Sequence, residues 1–186
     1  MTVHRRQFTP TQRALHWLMA VCILSMLFIG VGMVSTVSTT HLTLISIHKP
    51  LGIFILILAL VRVGVRLVSG TPGLPPDLPA LMKLGAILSQ YGLYALMIAM
   101  PLIGWAMLSA GGYPVVVFGM PLPALLPQSD SLHTVLWGAH RVLAFVFFAL
   151  ILLHFAAALF HALIRRDGVF TSMAPVSSEG GVVQAE

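Results

Sequence analysis

A chain of 186 residues that is 58% hydrophobic and only 8% charged, with a mean hydropathy of +0.98, is too apolar to be an ordinary soluble domain and belongs in a bilayer. Its formal charge of +5 is spread over cations that flank apolar runs, which is a membrane topology signal and not a nucleic-acid patch. The single cysteine, Cys22, excludes an intrachain disulfide and a four-thiolate metal site.

A helical span needs about 20 mainly apolar residues, and four stretches qualify, at about 14–36, 42–66, 84–109 and 133–164. They predict an all-α integral membrane protein, one four-helix bundle within residues 1–175. The first run follows Arg5, Arg6 and Arg13 as a signal peptide's would, but it is long and lacks a small-residue cleavage site, so it is expected to stay as a helix. In the second, the uninterrupted apolar run covers only Leu51 to Val61, so the span must take in His48 and Lys49 at one end and Arg62 at the other. Pro50 is tolerable there if it lies near the first turn, and Pro101 is expected to kink the third span.

The connections are short or rich in proline. SGTPGLPPDLP, residues 69–79, reads as a loop, because proline lacks a donor and restricts its neighbour. AGGYPVVVFGMPLPALLPQSD, residues 110–130, is apolar but broken by Gly and Pro, which predicts a loop over the outer mouth and not a fifth span. The tail, 176–186, is expected to be disordered.

Lys and Arg near span ends stay on the cytoplasmic side. Arg5, Arg6 and Arg13 precede span 1, Arg62, Arg66 and Lys83 flank the 2–3 connection, and Arg165 and Arg166 end span 4, against only Lys49 and Arg141 at the other ends. Both termini are therefore expected in the cytoplasm, with the chain a multi-pass membrane protein.

Within span 4, residues 140–161 hold three histidines on one stripe, His140, His154 and His161. Measured from span midpoints at 1.5 Å per residue, His16 lies roughly 13 Å and His154 roughly 8 Å toward the cytoplasm, while His48 lies roughly 9 Å and His140 roughly 13 Å toward the outside. Each level thus pairs one histidine of span 4 with one from another span, the two on span 4 being about 21 Å apart along the axis. Ionisable groups inside a membrane are costly and face an interior site or pathway. Two facing imidazoles suit haem iron, whose macrocycle supplies the other four ligands. Zinc would want four protein ligands. A proton-relay transporter would want buried acids, whereas Asp77, Asp130, Asp167, Glu179 and Glu186 all fall in loops or tails. A haem-free scaffold or transporter with structural histidines remains the alternative.

The stretches RALHWLMA, HKPLGIFILILALVRVGVRL, MPLIGWAMLSAGGYPVVVFG and LHFAAALFHALIRRDGV resemble the bacterial cytochrome b561 family of four-helix, di-haem b membrane cytochromes, a group that includes superoxide oxidases. The resemblance covers about residues 10–175. It implies two haem b groups, one held by His16 and His154 and the other by His48 and His140, the pairing that depth also gives. Family members carry two adjacent histidines at the cytoplasmic end of span 4, the first near a bound ubiquinone. Here His161 is followed by Ala162, so the resemblance offers His161 as a donor to a quinone carbonyl, with snorkelling to the interface as the alternative.

Lys49 and Arg141 beside the outer pair, and Arg13, Arg62 and Arg66 near the inner one, are candidate partners for haem propionates. The outer two are also placed to draw in an anion such as superoxide, and Arg62 and Arg66 to meet lipid head groups. His4, His41 and His133 are given no ligand role. A bis-imidazole iron has no open position, which favours outer-sphere electron transfer over oxygen activation. The expected function is electron exchange between the periplasmic side and the ubiquinone pool, as a superoxide:ubiquinone oxidoreductase. The alternative is a quinol-oxidising cytochrome serving a periplasmic redox protein or a hydrogenase-like partner.

Overall fold

The computed structural model describes residues 7–174; His4, Arg5, Arg6 and the tail at 176–186 lie outside the described residues. Four long helices dominate: α1 (Pro10–Ser35), α2 (Thr39–Ser69), α3 (Ala80–Ala110) and α4 (Asp130–Leu159). A π-helical turn, Phe160–Arg165, continues α4, and a short α5 (Val169–Met173) follows. All four long helices, α4 counted with its π turn, are long and apolar enough to cross a membrane.

Each helix begins about a turn before its apolar run; in α1, α2 and α4 the start signal is a polar cap that hydropathy does not see, and α3 starts after Pro79 without a side-chain cap. Thr9 and Gln12 form a capping box around Pro10 at the start of α1. Ser38 caps α2 through Thr40 N–H, and Ser129 caps α4 through Leu132 N–H, with Asp130 favourably placed at the positive helix end. At 31 residues, α2 and α3 are each about 46 Å long and outreach a hydrocarbon core of about 30 Å. Pro50 falls well inside α2 and not near its first turn, so the Ser46 carbonyl loses its helical donor.

In lipid, burial of apolar surface gives little drive between helices, and close packing holds them instead. Met19, Cys22 and Ile23 of α1, Ile55, Leu58 and Ala59 of α2, Met97 of α3 and Phe147 of α4 form the core. Ala59 is fully buried, a small side chain that lets its helix approach. Phe147 stands seven residues from both His140 and His154, so this apolar plug separates the two histidine levels. α1 packs mainly on α2, and α4 mainly on α3, with α2 against α3 between them.

Hydrogen bonds tie the two ends. At the cation-rich end, Gln12 Nε2 donates to Gly70 O (2.7 Å), Trp17 Nε1 to Met173 O (2.9 Å) and Arg165 Nη2 to Asp77 Oδ2 (2.6 Å), so α5 and the 2–3 loop close over α1 and α4. At the other end the 111–129 connection folds back as the hairpin β1 (Val116–Val117) and β2 (Met120–Pro121). It is pinned by Trp105 Nε1 donating to Pro123 O (3.1 Å) and Leu125 N donating to Ser109 Oγ (3.1 Å).

Candidate cofactor site

Two histidine pairs bridge helices that do not pack closely on each other. The ring centres of His16 on α1 and His154 on α4 are 6.3 Å apart, and those of His48 on α2 and His140 on α4 are also 6.3 Å apart. Two collinear imidazole bonds of about 2.0 Å to a first-row metal, plus about 1.1 Å from each nitrogen to its ring centre, span roughly 6 Å. The interplanar angles of 61° and 68° are no obstacle, since each ring can turn about its own metal bond.

Three further observations fit a flat iron macrocycle better than a bare ion or a purely structural role. Among the described residues no group of three His, Cys, Asp or Glu is placed to hold a metal, so a metal here needs ligands that the protein does not supply. His48 Nδ1 and His140 Nδ1 are buried without a hydrogen-bond partner, a costly state for a ring whose job is structural. The Met100 carbonyl interacts with His140 short of full hydrogen-bond geometry, and such a carbonyl is the outer partner that an iron-bound imidazole uses. Gly104 backs the same ring: a Cβ there would stand 3.2 Å from His140 Cε1. Finally, His154 keeps an exposed surface that its own helices do not cover, although its depth is that of lipid tails.

The neighbouring cations are arranged differently at the two levels. On the inner side, Arg62 Nη2 lies 3.3 Å from His16 Nδ1. A guanidinium only donates, so Nδ1 is the acceptor in this arrangement. Ligation through Nε2 needs the other tautomer, and Arg62 must then release the ring and becomes free to take an anion. Arg62 and Arg66 lie over the same Tyr94 ring, at 5.5 and 5.6 Å, and Arg66 Nη2 also donates to Gln90 Oε1 at 2.8 Å. Arg13 is buried, with Nη1 donating to Ala174 O (3.5 Å) and Nε unpartnered.

On the outer side, Lys49 Nζ reaches Pro114 O at 3.4 Å and Arg141 lies 5.6 Å from the Trp137 ring centre. Among the described residues neither is neutralised by a carboxylate. Lys49 also lines an open cavity of about 330 Å³ with Leu42, Ile45, Ser46, Pro114 and Val116, one residue from His48.

His161 does not reach outward. Its side chain is 11% exposed, and Nδ1 lies 2.7 Å from Asp167 Oδ2. His41 and His133 bond the Met33 and Met107 carbonyls, which are helix-end contacts. Sequence reasoning missed Asp167, Tyr94 and Gly104. Only Gly104 carried a signal, a glycine inside a helix pattern; the other two depend on the fold.

Residues 7–175 match the family described as prokaryotic cytochrome b561. The chain is 30% identical over 168 residues to "Cytochrome b561 homolog 2" of Escherichia coli K12, covering 89% of each chain. It is 27% identical to "Cytochrome b561 homolog 1" of the same organism over 91% of this chain and 97% of that one. It is 34% identical to "Probable superoxide oxidase CybB" of Yersinia pestis over 69% of this chain and 73% of that one.

Proposed function

Because the chain belongs to the prokaryotic cytochrome b561 family, a family of haem b electron-transfer proteins of the bacterial inner membrane, we propose that it carries two haem b groups and moves electrons from superoxide outside to ubiquinone inside. Family membership sets aside the haem-free scaffold. The single observation that carries the two-haem reading is the repeated 6.3 Å between facing imidazoles at two levels of α4.

In this reading His16 and His154 hold the inner group and His48 and His140 the outer one. When bound, each haem would supply a one-electron iron couple. The chain's own residues do the rest. The plug around Phe147 keeps water and ions from passing between the levels. Arg13, Arg62 and Arg66 offer charge for propionates at the inner level, and Lys49 and Arg141 do so at the outer level.

Superoxide is supported as the donor by the unneutralised Lys49 at the wall of the outer cavity, and by the relative named for that activity. Two superoxide ions yield two O₂ and two electrons, and ubiquinone takes those two electrons with two protons. The cation-rich end, which gathers Arg13, Arg62, Arg66, Lys83, Arg165 and Arg166, supports cytoplasmic termini. Quinone reduction then belongs at that end, near His161.

Stopped-flow mixing of the purified, haem-loaded protein with superoxide and ubiquinone tests the reaction. The expected result is haem reduction faster than spontaneous dismutation, followed by reoxidation and ubiquinol formation. Haem that stays oxidised under superoxide but is reduced by ubiquinol would overturn it in favour of a quinol-oxidising cytochrome serving a periplasmic partner.

A further inference from the structure

The only ion-pair network among the described residues sits at the end of α4. His161 Nδ1 is 2.7 Å from Asp167 Oδ2, Arg165 Nε donates to the same oxygen at 2.9 Å, and Arg165 Nη2 donates to Asp77 Oδ2 at 2.6 Å. Asp167 Oδ1 accepts from Val169 N–H at 3.3 Å.

The backbone goes to some length to make this contact. In an uninterrupted helix residue 167 would lie about 9 Å further along the axis and about 240° around from residue 161. Instead α4 widens into the π turn, closed by Arg166 N donating to His161 O at 2.8 Å. Arg166 (φ 52°) and Gly168 (φ 83°) then reverse the chain. A non-glycine residue in the left-handed region carries strain, and π turns often mark functional sites.

We propose that Asp167 is a positioning residue that accepts from Nδ1–H of the His161 imidazolium and holds the ring so that its second hydrogen, on Nε2, is delivered as one of the two protons ubiquinone needs on reduction at the cytoplasmic end. This deepens, and rests on, the quinone reading of His161. An ionised carboxylate only accepts, so Nδ1 must carry the hydrogen. Nε2 has no hydrogen-bond partner among the described residues. Asp167 stays ionised: burial pushes its carboxyl up, but the bonds from His161, Arg165 and Val169 outweigh that and hold it below its ordinary value.

The step balances. As two electrons reach the quinone, the Nε2–H bond breaks and an O–H bond forms at the near carbonyl. The ring, left neutral with Nδ1–H on Asp167, regains its proton from cytoplasmic water, and the far carbonyl takes its proton from solvent. The other charged groups facing the pair are Arg165 and, through it, Asp77; Arg166 turns its Nε to Leu163 O, and α5, packed against the turn, has no ionisable side chain.

The test uses the full-length, haem-loaded protein in nanodiscs, pre-reduced and mixed with a short-chain ubiquinone between pH 5.5 and 8.5. Asp167→Asn should retain both haems and a KM within about 2-fold, lose about 10-fold or more in kcat, and show an altered pH profile. An unchanged kcat and pH profile in Asp167→Asn, with His161→Gln slowed more than about 10-fold, overturns the positioning role and leaves the quinone site standing. If His161→Gln is equally unaffected, the quinone reading of His161 fails as well. Should Asp167→Asn lose its haem, the unmodified protein decides: a solvent deuterium effect of about 2 or more on kcat supports proton delivery in the slow step, and an effect of 1 overturns it.

Discussion

Gly104 and His140 stand in contact across α3 and α4, with the site of a glycine Cβ 3.2 Å from His140 Cε1 and 3.5 Å from Nδ1. A helical Gly→Ala change ordinarily gains up to about 1 kcal/mol, but here the ring would have to give way. Gly104→Val adds branches into the same space, so haem per protein should fall from about two toward one, read by pyridine haemochrome content. Two intact haems in Gly104→Val would show that the ring has slack.

The two levels share α4 but not their other helix, which makes them separable. His140→Ala should remove the outer haem and leave the inner, and His154→Ala the reverse, each leaving about half of the reduced b-type absorbance. The two residual spectra and potentials should differ from one another. Loss of neither haem in His140→Ala would overturn the pairing.

Arg62 is the positive charge nearest the inner pair, beside His16 Nδ1. A nearby cation disfavours the oxidised, more positive iron. Arg62→Gln should therefore lower the inner haem's midpoint potential, by on the order of 50 mV for one charge at moderate effective dielectric. Redox titration checks this, and an unmoved outer potential is the internal control.

Asp167 links stability to pH at the cation-rich end. Its carboxyl lies below the ordinary 3.8, with burial opposing and the His161, Arg165 and Val169 bonds lowering. A folded-state value below the unfolded one means that the stabilisation is fully present above about pH 3.9 and is lost as pH falls through the lowered folded value. Asp167→Asn should therefore melt roughly 3–6 °C below the unmodified protein at pH 7, the scale of one or two kcal/mol for a charged hydrogen bond in a chain this size. The gap should close at acid pH, and a gap that does not change with pH would assign it to packing instead.

Much of this was legible in the chain itself. Runs of about 20 mainly apolar residues with a helical pattern unbroken by Gly and Pro clusters mark the spans, and a fixed rise per residue turns sequence position into depth. That is why four helices, the membrane setting and the two levels of His16 with His154 and His48 with His140 needed no coordinates. What lies across from a side chain is different, because it depends on how helices pack and how the chain reverses between them. The 6.3 Å separations, Gly104 behind His140 and the Tyr94 ring under both Arg62 and Arg66 come from packing of α1 to α4. Asp167, an acid in a loop by sequence, meets His161 only because the π turn and the left-handed Arg166 and Gly168 bend the backbone back. The rise per residue determined which residues share a depth; only the tertiary structure decided which of them touch.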